Sequence, residues 1–183
     1  MRQHTQIKLM AAAILAIGAA KAMAEGEPVA PERRIVVSIP DRKLALVENG
    51  RAVKVYSVAV GADVSPSPTG SYRVVNRLKH PTYYKPGTVV PAGAANPLGS
   101  RWMGLDRKSY GIHGTNQPKS IGKAASHGCI RMARKDLEEL FELVRVGDAV
   151  EIHGERDGSV AAVFGGAEVA TAAATETDDM NNF

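Results

Sequence analysis

The sequence predicts a mainly β domain of mixed, sandwich-like architecture with one principal α-helix. Between residues 34 and 113, short apolar or alternating runs are separated by Gly, Pro, Asn and Asp, which is typical of strands joined by tight turns. One later segment carries apolar side chains at the helical spacing i, i+3, i+4 and i+7, namely Leu137, Leu140, Phe141 and Val144. This predicted helix lies shortly after the single cysteine of the chain, Cys129.

The predicted strands begin with three closely spaced runs at residues 35–39, 44–47 and 53–60. A Pro40-Asp41 turn follows the first run, and Asn49-Gly50, a strong hairpin signal, follows the second. These runs therefore predict a β-meander. Further strands are predicted at 71–75, 101–105, 110–113 and 149–153.

A long segment rich in proline and glycine, residues 78–100, separates two of the predicted strands. Loops of this length in compact domains are often lids or binding flaps, so we expect this one to be functional. Tyr83 and Tyr84 lie in it, and they either contact the substrate or pack beneath the loop and fix it in place.

The N-terminus predicts export. Arg2 and Lys8 precede an apolar run at residues 9–20, and Ala22-Met23-Ala24 offers the small residues of a cleavage site. The run is shorter than the roughly 20 residues that a membrane-spanning helix requires. We therefore assign residues 1–24 to a signal peptide and expect a mature protein in the periplasm or cell wall.

Charge and periodicity divide the remaining chain into three parts. A short leader at 25–33 precedes a basic body at 34–153, and an acidic tail at 154–183, predicted to be disordered, follows it. Residues 33–153 hold 19 Lys and Arg against 10 Asp and Glu. No nucleic-acid module and few aromatic residues accompany this basic charge, and the signal peptide points instead to an anionic extracellular polymer or to substrates that bear carboxylates.

The chemistry of the chain is concentrated around Cys129. Two histidines, His113 and His127, lie within seventeen residues of sequence that end at this thiol. A thiol attacks a carbonyl carbon as the thiolate, and a neighbouring imidazole is the usual base that generates it. Backbone N–H groups of Gly128 and Cys129 are candidates for stabilising the resulting oxyanion. The spacing favours neither histidine, so both remain candidate bases.

Two other interpretations of the same residues are a buried, inert thiol and a zinc site. A cysteine flanked by glycine and two histidines is unusual for an inert core thiol. A structural zinc site formed by His113, His127 and Cys129 would need a fourth ligand, and the sequence suggests none. We therefore expect no metal at this position.

Several segments carry a resemblance to a known family. They are Gly-Ile-His-Gly-Thr-Asn at 111–116, Ser-Ile-Gly-Lys-Ala at 120–124, Ser-His-Gly-Cys-Ile-Arg-Met at 126–132, Pro-Thr-Gly at 68–70, and the segment 96–105. With them the chain resembles the YkuD-type L,D-transpeptidase catalytic domain over about residues 34–153. The Ser-His-Gly-Cys core with an upstream His-Gly is the most specific of these features.

The resemblance implies roles for individual residues. It makes Cys129 the nucleophile and His113 the base, with the carbonyl of Gly114 orienting the imidazole. It places Ser126, His127 and Gly128 on the oxyanion side of the site. Arg131 either pairs with a substrate carboxylate or serves as a structural ion-pair partner.

The implied reaction is peptidoglycan cross-linking without a cofactor. The cysteine takes the acyl group of a tetrapeptide stem with release of D-Ala, and the amine of a second stem then receives it. Carbapenems would acylate the same sulfur. The alternatives are hydrolysis by water (a carboxypeptidase or amidase), attachment of a lipoprotein to the wall, and a wall-binding module without activity.

Overall fold

A computed structural model of the protein describes residues 32–165, which belong to one compact unit. The predicted signal peptide, most of the leader and the end of the acidic tail lie outside these residues. No helix in the described range is long and apolar enough to span a membrane. The strands are β1 Arg33–Ser38, β2 Lys43–Glu48, β3 Arg51–Gly61, β4 Gly70–Lys79, β5 Tyr83–Lys85, β6 Thr88–Val90, β7 Arg101–Leu105, β8 Gly111–His113, β9 Ala124–Ser126, β10 Ile130–Met132 and β11 Ala149–His153.

Three helical segments accompany the strands. A 3₁₀ turn occupies Pro118–Ser120, and the principal helix α1 runs over Arg134–Leu143. A second helix, α2, covers residues 158–165. The predictions of a mainly β fold and of one principal helix after the cysteine are both confirmed.

The sheet closes on itself because β3 is long enough to pair with different partners along its length. The strand order is β10-β8-β7-β4-β11-β1-β2-β3-β9, and β3 also pairs with β10. Eight strands therefore form a barrel-like ring, to which β9 is added beside the end of β3. The pairings β1–β11, β8–β10 and β3–β9 are parallel and the others antiparallel, as expected of a mixed sheet.

The main core lies inside this ring and is completed by α1. The predicted apolar stripe of α1 is buried, with Leu137, Leu140 and Val144 fully inaccessible to solvent. These side chains pack with inward-facing strand residues such as Leu44, Val58 and Ile112. Each fully buried aliphatic side chain stabilises the fold by about 1.5–3 kcal/mol.

The segment after β11 differs from the sequence prediction. The tail was predicted to be disordered from residue 154, whereas residues 158–165 form α2 and pack on the outer face of β1 and β2. This second cluster consists of Val36, Ala45, Val47, Val160, Val163 and Phe164. The prediction was wrong for this part because one short helix gives too few apolar repeats to be distinguished from the Ala- and Gly-rich sequence that follows. The packing also explains why β1 and β2 are apolar on both faces.

The segment 78–100 is likewise more ordered than the sequence predicted. β4 extends to Lys79, and β5 and β6 form a hairpin around Pro86-Gly87, with φ of +72° at Gly87. The short strands β9 and β10, on either side of Cys129, were also not predicted. Strands of three residues are too short to show a period of two.

Removing the anchor of α2 tests whether this helix is part of the folded domain. Phe164 is 1 % exposed, so Phe164→Ala should lower the free energy of unfolding by about 3–5 kcal/mol, as measured by urea denaturation. The exposed neighbour Ala162 offers a matched control, since Ala162→Ser should change stability by less than about 0.5 kcal/mol. Equal stability of the two variants would contradict the packing described.

Candidate active site

Most of the predicted site residues line one cleft of about 480 Å³. These are Tyr83, Tyr84, His113, Ser126, His127, Cys129 and Arg131. The hairpin β5–β6 supplies one wall and the ends of β7, β8 and β9 supply much of the rest. The cleft therefore lies beside the pairing of β8 with β10.

Strand pairing brings Cys129 and His113 to the same cleft. β8 and β10 run parallel, with His113 opposite Arg131 and Ile112 opposite Ile130. Cys129 immediately precedes β10 and therefore lies at the level of Gly111 on the neighbouring strand. Two segments that are distant in the sequence thus present their reactive side chains to one cleft.

The imidazole of His113 is held in one orientation. Its Nδ1 lies 2.6 Å from the carbonyl oxygen of Gly114, and because a carbonyl only accepts, this nitrogen carries the proton. Nε2 is left as the acceptor. The indole of Trp102 stacks on the ring at a centroid distance of 5.6 Å. The ring is therefore fixed by one hydrogen bond and one aromatic contact.

Burial keeps this imidazole neutral. Only 5 % of His113 is exposed. Desolvation lowers its pKa to about 4 and the charge of Arg131 adds to this effect, while the hydrogen bond to Gly114 opposes it. At neutral pH the ring is therefore uncharged, which is the form that can accept a proton.

The thiol of Cys129 is partly exposed to the cleft, so it is not sealed in the core. Its sulfur lies 3.6 Å from the carbonyl oxygen of Ser109. Burial raises the thiol pKa, and the backbone of Gly111 and the charge of Arg131 only partly oppose that increase. The resting site thus holds a thiol beside a neutral imidazole. This differs from the thiolate expected from the sequence, because desolvation of the sulfur outweighs the nearby positive charge.

Ser126 organises the loop that carries the cysteine. The hydroxyl of this buried residue donates to the carbonyl of Cys129 at 2.5 Å and accepts from the amide of Gly128 at 3.0 Å. Gly128 has φ of +108°, and a Cβ there would lie 2.6 Å from the ring of Tyr110. Only glycine fits this position, so the loop geometry depends on both residues.

Arg131 and His127 also face the cleft. Among residues 32–165, no acidic side chain forms an ion pair with Arg131, which favours a cation available to substrate over a structural ion pair. His127 is exposed, and no hydrogen bond within the described range orients its ring. No group of three or more potential metal ligands occurs in that range either.

Two residues of the segment 96–105 shape the site in ways that the sequence did not reveal. Trp102 lies in the predicted strand 101–105, where it is partly exposed beside the imidazole and donates to Asn76 at 3.0 Å. Asn96 is buried beneath the hairpin β5–β6. Alternation along β7 could have placed Trp102 on the face opposite Met103, whereas nothing in the pattern distinguishes Asn96 from an ordinary turn residue.

The uncharged thiol of Cys129 and the uncharged imidazole of His113, here called the neutral resting pair, should give the thiol a characteristic response to pH. Because burial raises its pKa, the rate of alkylation by iodoacetamide should keep rising with pH through about pH 9, as the thiolate fraction increases. The urea-unfolded protein provides the control and should react along a profile displaced to lower pH. A plateau that already begins at neutral pH would indicate a preformed thiolate–imidazolium pair and would contradict this description.

Comparison with known proteins agrees with the geometry. The sequence model of the YkuD family, described as an L,D-transpeptidase catalytic domain, matches residues 32–152. The Bacillus subtilis protein YkuD, whose name carries a provisional assignment as an L,D-transpeptidase, is 40 % identical over 127 residues, which is 69 % of this chain and 70 % of that protein.

Solved structures share the fold. An L,D-transpeptidase from Mycobacterium smegmatis has a TM-score of 0.58 at 17 % identity, over 68 % of this chain and 59 % of that one. The L,D-transpeptidase LdtMt1 in complex with imipenem has a TM-score of 0.57 at 19 % identity, over 67 % and 59 %. From the family match over most of the described residues, we conclude that the chain belongs to the YkuD family of L,D-transpeptidase catalytic domains.

Proposed function

We propose that this protein is a peptidoglycan L,D-transpeptidase in which Cys129 is the nucleophile and His113 the general base. The observation that carries the proposal is the oriented imidazole. The Gly114 carbonyl holds the proton on Nδ1, so Nε2 is available to the thiol in the same cleft. His127 lacks such an orienting contact within the described residues, which favours His113 as the base.

The first step transfers an acyl group to the sulfur. Nε2 of His113 removes the thiol proton as the sulfur attacks the carbonyl of the third residue of a tetrapeptide stem. The S–C bond forms, and the tetrahedral oxyanion lies near the backbone N–H groups of Gly128 and Cys129. The imidazolium then gives its proton to the departing nitrogen as the C–N bond breaks, which releases D-Ala and leaves a thioester.

In the second step the same imidazole accepts a proton from the incoming amine and donates one to the leaving sulfur. An amine of a second stem attacks the thioester carbonyl, Nε2 accepts a proton from that amine, and the proton returns to the sulfur as the C–S bond breaks. The product is a 3–3 cross-link and the free thiol is regenerated. Water in place of the amine would give hydrolysis, and a lysine of a lipoprotein would give protein attachment.

The neutral resting pair suits this sequence of steps. A permanent thiolate would be exposed to oxidants and electrophiles outside the cell, whereas a thiol is deprotonated only when its proton has an acceptor at the moment of attack. The low pKa of His113 also favours return of the proton to the leaving nitrogen.

The walls of the cleft supply binding contacts. Arg131 offers a positive charge close to Cys129 and matches a substrate rich in carboxylates. Tyr83 and Tyr84 place aromatic surface on the opposite wall, where Tyr84 is 71 % exposed. The same cleft would admit a carbapenem to the sulfur. Because peptidoglycan lies outside the cytoplasmic membrane, the proposal also requires the export expected from residues 1–24.

Product analysis tests the proposal. The mature protein incubated with purified tetrapeptide muropeptides should give dimers and free D-Ala, identified by mass spectrometry. Cys129→Ala should give neither product, and His113→Ala should slow dimer formation by about 10²–10⁴-fold through loss of the base. His127→Ala, the comparison variant, should slow dimer formation less than His113→Ala does.

Other outcomes point to other functions. Tripeptide and D-Ala without dimers would indicate a hydrolase. Unchanged muropeptides, under conditions where an established L,D-transpeptidase is active, would indicate a wall-binding module. A larger loss in His127→Ala than in His113→Ala would reverse the assignment of the base.

A further inference from the structure

The side chain of Asn96 is a buried hydrogen-bonding centre next to the cleft. Only 1 % of the residue is exposed. Its Nδ2 donates to the carbonyls of Pro81 at 2.8 Å, Val90 at 3.1 Å and Pro91 at 3.1 Å, and its Oδ1 accepts from the amide of Leu98 at 2.8 Å. Every polar atom of this amide is therefore bonded to the main chain.

Three of these bonds fix both ends of the hairpin β5–β6. Pro81 precedes the hairpin, and Val90 and Pro91 end it. In the part of the chain that the structure describes, no other hydrogen bond joins residues 81–91 to the rest of the domain. Much of the hairpin surface faces solvent, with Val89 64 % and Tyr84 71 % exposed. Among side-chain and backbone groups, the Asn96 amide thus supplies the hydrogen bonds that tie the hairpin carrying Tyr83 and Tyr84 to the domain.

The fourth bond leads to the catalytic imidazole. The carbonyl of Leu98 accepts from the amide of Gly114 at 2.8 Å, and the carbonyl of Gly114 holds Nδ1 of His113. Gly99 packs directly on Gly114, where an added Cβ would lie 2.9 Å from the Gly99 Cα. Asn96 is therefore linked through Leu98 to the peptide that orients His113.

We propose that Asn96 is a positioning residue whose hydrogen bonds fix the position of the hairpin β5–β6 relative to the imidazole of His113. Asparagine suits this position because its short planar side chain carries two N–H donors and an acceptor. An alanine side chain offers no donor and no acceptor, and an ionised carboxylate offers acceptors but no donor. The part of the proposal that concerns acyl transfer rests on the proposed function, whereas the structural coupling does not.

Asn96→Asp tests the coupling through pH. The new carboxyl faces three carbonyl oxygens in a buried place, which raises its pKa. When protonated, it can still donate one bond and accept from Leu98, but when ionised it repels all three carbonyls. His113 stays neutral down to about pH 4, so the base remains competent in mild acid.

Two properties of this variant are measured below its melting temperature. If Asn96 only stabilised the fold, both properties of the folded protein would match those of wild type under these conditions. Acyl transfer from the tetrapeptide should be within about threefold of wild type at pH 5.5 and at least about tenfold slower at pH 8, because misplacement by about 1 Å can cost about 10²-fold. Acrylamide quenching of Trp102, the only tryptophan, should increase at pH 8 but not at pH 5.5.

Two further variants separate this coupling from a non-specific effect of introducing a carboxylate into the loop. Asn116→Asp makes the same change at an exposed asparagine whose single bond, to Ala95, serves the same loop, and it should behave as wild type at both pH values. Asn96→Ser keeps one donor and should be intermediate at pH 8. This second variant keeps the test decisive if Asn96→Asp does not fold in base.

Two results would overturn the proposal. One is acyl transfer and quenching equal to wild type for Asn96→Asp at pH 8. The other is altered quenching with unimpaired acyl transfer, which would mean that the hairpin and the imidazole are not coupled. If wild type itself does not transfer acyl groups, the proposed function fails, and the quenching of Trp102 still decides whether Asn96 holds the site.

Discussion

The hydrogen bond from Nδ1 of His113 to the carbonyl of Gly114 is the contact on which the proposed chemistry depends. An imidazole can take the thiol proton only through a nitrogen that is free of its own proton, and this bond determines which nitrogen that is. A carbonyl from the next residue in the chain can serve here because Gly114 lacks a side chain and packs against Gly99. The orienting group is therefore part of the backbone and needs no third catalytic side chain.

Burial gives the site its second property, a neutral resting state. The imidazole and the thiol are both shielded from water, which disfavours the charged form of each. The charge of Arg131 stabilises a thiolate and disfavours an imidazolium, so it lowers the pKa of both groups. The proton is consequently expected to move only with the chemical step. The pairing of β10 with β8 contributes to this shielding, since it brings the cysteine loop against β8.

Much of this arrangement could be predicted from the sequence. Apolar runs separated by turns gave the main strands, and the spacing of Leu137 and Leu140 gave α1, because those patterns are local. The motif around Cys129 indicated the chemistry. The choice of His113 over His127 came from family resemblance, since spacing alone does not reveal that β8 and β10 are neighbours.

What the sequence did not reveal depends on contacts between distant residues. The three-residue strands β5, β6, β9 and β10 are stabilised by pairing and show no period of their own. The buried state of Asn96 follows from the path of the hairpin, and α2 is fixed by the outer face of β1 and β2. The raised pKa of the thiol likewise reflects how much water the folded cleft excludes, which no motif encodes.

The protonation state of His113 is the most direct test of the account. Nitrogen NMR of the mature protein with ¹⁵N-labelled histidine reports which ring nitrogen carries the proton. We expect a neutral ring protonated on Nδ1 at neutral pH, which gains its second proton only at about pH 4. A ring protonated on Nε2, or an imidazolium at neutral pH, would contradict it.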